Sequence, residues 1–177
     1  MNNESNYSLI LPKKYSLLIF CSCQQGLFYV YQYYNIQHYN MMIVSLCLYL
    51  SSISFWMKPI YGIRRTIDRF CVQSVSAYTF YCAYDCHMEY LYLKFNFFCL
   101  MGFLIYIYGC HLYNKKHLLI YTICHIILHT CGGLGNAVFI ECLEHSENNE
   151  HNIVQLQNSI TLFYMLFFGN YIIWFCF

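Results

Sequence analysis

The feature that most limits what this chain can fold into is the scarcity of charge within long apolar runs, which recur along almost its whole length. Only 10% of its 177 residues are charged and 59% are apolar, whereas soluble domains carry roughly 25% charged residues. A chain of this size has too little interior to hide so much apolar surface from water. A lipid bilayer is the solvent that suits it, and each helical crossing of a bilayer needs about 20 largely apolar residues. Runs of this kind lie at 15–34, 41–57, 67–84, 95–113, 118–143 and 159–177. The expected fold is therefore all-α, a multi-pass integral membrane helix bundle of about six transmembrane helices. It forms a single membrane domain over 1–177 with a short polar N-terminal tail at 1–14.

Polar punctuation and charge set the expected topology. The first run is the least regular, because Gln24 and Gln25 sit at its centre. No small-residue cleavage motif follows it, so it reads as an uncleaved helix rather than a signal peptide. Pro59 and Gly62 mark one turn, Asn114 to Lys116 another, and the stretch from Glu144 to His151 is the longest polar interior loop. Threading the runs through alternate sides puts Lys13, Lys14, Lys58, Arg64, Arg65, Arg69, Lys115 and Lys116 on one side. Lys94 falls on the other, with Asp85, Glu89, Glu144, Glu147 and Glu150. Lys and Arg in short loops mark the cytoplasmic face, so both termini are expected there. The partner is the bilayer itself. A net charge of +1, with no basic stripe, argues against nucleic acid.

The 12 cysteines do not read as a disulfide framework. Most lie in apolar runs, where a free thiol packs as a small hydrophobe. No Cys-x-x-Cys occurs, which excludes the zinc-ribbon and dithiol redox readings. Cys82 and Cys86 have the spacing for a pair at the end of one run, but packing is the preferred reading for them too.

Chemistry concentrates in the fifth run, at His125-Ile-Ile-Leu-His129 followed by Thr130-Cys-Gly-Gly-Leu-Gly135-Asn136. Two imidazoles four residues apart share one helix face, with Cβ atoms roughly 6 Å apart. Ionisable groups inside a membrane span are costly and default to a functional-site hypothesis. Position 126 is Ile, so the Glu that a zincin helix needs as general base is missing. The plain alternative is two neutral imidazoles hydrogen-bonded to Ser, Thr or Tyr on adjacent helices, with Gly132, Gly133 and Gly135 admitting a close backbone. Ser51, Ser52 and Ser54 end the second run on the side where Asp68 opens the third. Asp68 has its own plain role, as an ion pair with its arginine neighbours or a carboxylate favoured by a helix N-terminus.

On these residues the chain resembles the alkaline ceramidase superfamily, which also takes in the adiponectin-receptor-like membrane hydrolases. The family pattern is a Ser one turn before a His, an Asp at the start of the next span, and His-x-x-x-His in a late span. Ser52 matches the Ser, Asp68 the Asp, and His125 and His129 the late pair with its Gly-Leu-Gly continuation. The resemblance implies a zinc-dependent lipid amide hydrolase in which three His hold zinc and the Ser and Asp position and activate its water. The first family His falls at Trp56, which cannot ligate zinc, and the family has seven spans where this chain offers about six. A set of His125, His129 and Asp68 would restore three ligands and leave a position for water. Zinc suits imidazole and carboxylate donors. Three readings thus stay open: a multi-pass membrane protein of undetermined activity, a zinc hydrolase acting on a lipid substrate, and a non-catalytic structural or interaction protein.

Overall fold

The computed structural model of the chain describes residues 9–83 and 89–146, with side chains as far as Glu144. Those residues form helices α1 (Lys13–Cys23), α2 (Gln25–Asn35), α3 (Tyr39–Met57), α4 (Ile63–Ala83), α5 (Glu89–Asn114) and α6 (Leu118–Ser146). The expected all-helical class is what is observed. The run at 159–177, most of the acidic loop before it, and Cys86 lie outside the described residues.

Three of these helices are long and apolar enough to cross a membrane: α3, α5 and α6 as far as Glu144. At 19 residues, α3 rises about 28 Å, close to the ~30 Å of a bilayer's hydrocarbon core. No more than 33% of the most apolar stretch of any of the three is buried by the rest of the chain. Leu50, Phe97, Leu104 and Ile123 instead face outward, as lipid-facing side chains do. The described helices therefore fit an integral membrane protein.

Two boundaries differ from the sequence expectation. The run at 15–34 is two helices of 11 residues each, parted at Gln24. There the ladder shortens, with Gln24 N donating to Cys21 O and Leu27 N to Gln24 O. The Gln24 side chain explains why a polar residue is tolerated: its amide donates to Phe20 O, and its carbonyl accepts the Tyr49 hydroxyl at 2.9 Å. It is a strut between the first run and α3. The second difference is α4, which begins at Ile63 rather than 67. Asp68 accordingly sits in its second turn and not at its opening.

The α5–α6 hairpin is the tightest pairing in the bundle. Lys116 takes the left-handed conformation (φ 63°), and His117 N donates back to Leu112 O, closing α5 in the manner of a Schellman cap. Gly102 and Gly109, seven residues apart on α5, meet Leu128 and Cys131, then Cys124 and Tyr121, on α6. Helix α6 packs on its other side against α1 and α2, and α3 packs against α1, α2 and α4. The end of the bundle formed by Phe80, Phe95 and Phe139 is an aromatic cluster, with Tyr33 donating to Asn136 Oδ1 at 2.7 Å.

At the other end a short strap precedes α1. Ile10 N donates to Pro59 O at 2.8 Å, Leu9 bridges Ile60, and the Tyr113 hydroxyl donates to Ile10 O. These bonds gather the start of α1, the α3–α4 turn and the α5–α6 turn at one end. That end carries eight of the nine Lys and Arg residues.

Candidate functional site

Just beneath the strap, the polar side chains of α1, α3, α4 and α6 converge. Leu11 is fully buried and packs with Ile19, Cys23, Phe55 and Trp56, which seals this end of the bundle.

The Ser and Asp expected to act together do meet. Ser52 donates to Asp68 Oδ1 at 2.6 Å, and Ser51 lies at the 3.5 Å limit of the same oxygen. The Ser51 hydroxyl has one proton and a closer acceptor, Leu48 O at 3.0 Å, so Ser52 is the principal partner. Asp68 is buried. Its interaction with Ser52 crosses from α3 to α4 and fixes their register. A hydrogen bond of this kind contributes about 0.5–1.5 kcal/mol.

The two imidazoles also meet, with ring centroids 4.9 Å apart, and both face protein. His125 lies edge-on to Trp56, centroids 4.8 Å apart, and against Tyr121. His129 Nδ1 is 2.6 Å from Ser22 Oγ and 3.9 Å from Cys23 Sγ. Ser22 Oγ also lies 2.7 Å from Ile19 O, so its single proton goes to Ile19 O or to His129 Nδ1 according to the imidazole tautomer. Cys23 links the two halves of the site, since it borders His129 and lies within electrostatic range of Asp68. Ser22, Cys23 and Tyr121 carry no motif. The one sequence signal at Ser22 is a hydroxyl inside an apolar run, a type of residue that binds across membrane helices.

These residues do not fit a zinc site as they stand. Among the described residues, no three His, Cys, Asp or Glu side chains are grouped to hold a metal ion. Trp56 occupies the flank of His125 from the position where the family pattern has its first His, and Asp68 is engaged with Ser52. Among the described residues, a cavity of about 10 Å³ touches His125, bounded by Tyr106, Gly109, Tyr121 and Leu128 among others. That is room for no more than one water, and an acyl chain needs far more.

Compared with family models, curated proteins and solved structures, the chain matches none.

Proposed function

We propose that this chain is a multi-pass membrane protein of about six crossings, both termini cytoplasmic. In this reading Ser52, Asp68, His125 and His129 form a non-catalytic polar core that fastens helices together. The observation that carries it is the packing of Trp56 against His125 at 4.8 Å, with His129 already bonded to Ser22. Each imidazole thus has a protein partner, and the pair joins α6 to α3 and α1. Interhelical hydrogen bonds in membranes contribute about 0.6 kcal/mol on average and up to ~1.7. Several together favour one arrangement of helices that lipid alone would not select.

The proposed orientation is supported by the gathering of eight basic residues at the strap end. A glycosylation tag inserted in the Glu144–His151 loop is expected to be modified, and a cysteine placed at Lys115 to react only with cytoplasmic reagents. A tag in that loop that stays cytoplasmic contradicts the topology.

The competing reading is a zinc-dependent lipid amide hydrolase using His125, His129 and Asp68. In its favour, His129 Nδ1 is engaged with Ser22 at 2.6 Å, which leaves Nε2 as the other ring nitrogen, and metal-ligating His are held by such outer hydrogen bonds. Detergent-solubilised protein assayed on an N-acyl sphingoid lipid with added zinc separates the two. Hydrolysis no faster than that of a His125→Ala/His129→Ala double variant is expected, whereas hydrolysis that this variant abolishes would establish the enzyme.

A further inference from the structure

Among the described residues, the basic end of the bundle has one corner where cations gather about the α3–α4 turn. Lys58 and Arg64 stand exposed on either side of the turn 58–62, and Arg65 lies over the Tyr61 ring at 4.7 Å. Helix α4 has no acidic residue in its first turn, although a helix N-terminus disfavours cations and attracts anions. The nearest acid along the helix, Asp68, is turned inward onto Ser52. Below this corner runs an exposed apolar stripe, Ile63 (76% exposed), Ile67 (49%) and Phe70 (68%), at i, i+4 and i+7 on one face of α4.

A cationic corner above an outward apolar stripe, at the end of a membrane bundle, matches the two halves of one kind of molecule. We propose that it binds an anionic phospholipid, with the headgroup phosphate and carboxylate between Lys58, Arg64 and Arg65 and an acyl chain along Ile63, Ile67 and Phe70. Charge complementarity selects the lipid: basic residues at a membrane surface attract acidic headgroups, whereas a zwitterionic lipid offers no net charge to offset the arginines. The proposal rests on the membrane reading but not on the role of the histidines or on the direction of insertion.

Native mass spectrometry of the full chain in detergent, titrated with phosphatidylserine or phosphatidylcholine, tests it. Phosphatidylserine is expected to bind roughly tenfold more tightly, and Arg64→Gln/Arg65→Gln to remove that preference. Lys115→Gln/Lys116→Gln, at the same end but on the α5–α6 turn, is expected to keep it. Equal binding of the two lipids would overturn the proposal, as would an equal loss in the two double variants, which signals a diffuse field rather than a site. Displacement by millimolar inorganic phosphate would also overturn it, by identifying a free-anion site. If the arginine variant does not fold, the wild-type lipid comparison and the lysine variant still decide. A chain that stays in solution after detergent removal refutes the membrane reading itself, and this is seen before any lipid is added.

Discussion

Replacing Gly133 by leucine is expected to pry α2 away from α6 and to destabilise the bundle by about 1–3 kcal/mol, the usual range for overpacking. A Cβ at this position falls 2.6 Å from the Tyr29 hydroxyl oxygen, closer than real Cβ contacts come, and 3.1 Å from Gln25 Oε1, tighter than most of them. Gly133→Ala meets the far ends of these two side chains and costs less than leucine, because they can swing aside. Tyr29→Phe in the same chain removes the nearest atom but leaves the ring carbon at 3.2 Å, so it restores part of the loss. The adjacent Gly132 supplies the control, because a Cβ there meets nothing within 4 Å. Gly132→Ala is expected to be neutral or to stabilise by up to about 1 kcal/mol through helix propensity. Unfolding of the purified variants in mixed micelles measures all four. Equal behaviour of the 132 and 133 variants would mean that α2 does not approach α6 as described.

The second large effect is a gain. Trp56→His is expected to create a zinc site. It sets a third imidazole beside His125 and His129, whose rings are already 4.9 Å apart, and three His with an open position is a recurrent zinc set. Retained zinc is expected to rise to about one per chain and to vanish again when His129→Ala is added. The same substitution removes a large side chain from the cluster of Leu11, Ile19, Cys23 and Phe55. The metal-free variant should therefore be less stable by a few kcal/mol, on the order of 3, and zinc should restore part of the loss. A folded Trp56→His protein that takes up no zinc would show that position 56 does not stand where the family pattern has its ligand.

The sequence made the helices legible because apolar runs mark them, although among the described helices only α3, α5 and α6 are long and apolar enough to cross a membrane. The turn at Pro59–Gly62 falls between α3 and α4 as expected, and that at Asn114–Lys116 joins α5 to α6, with Asn114 the last residue of α5. The irregularity at Gln24 was visible as two glutamines in an apolar run read as one helix, but the partner that makes a polar side chain tolerable there was not, since it is Tyr49, a residue 25 positions away. Ser52 with Asp68, and His125 with His129, were each legible as pairs from short spacings. What joined them was not. Ser22 and Cys23 reach His129 across more than 100 residues of chain, and no local pattern records such a contact. Trp56 stood out in the sequence only as a missing ligand. In the folded chain it is a buried wall against His125, and this packing role could not be read from the motif it interrupts.

The most direct test of the polar core as a fastening rather than a metal centre is the zinc content of the wild-type chain. The protein is extracted gently in detergent without chelator and measured beside His125→Ala and His129→Ala. The expected result is no bound zinc in any of the three, with both variants less stable than the wild type. About one zinc per wild-type chain, lost in both variants, would contradict it and assign His125 and His129 to a metal site that needs three protein ligands.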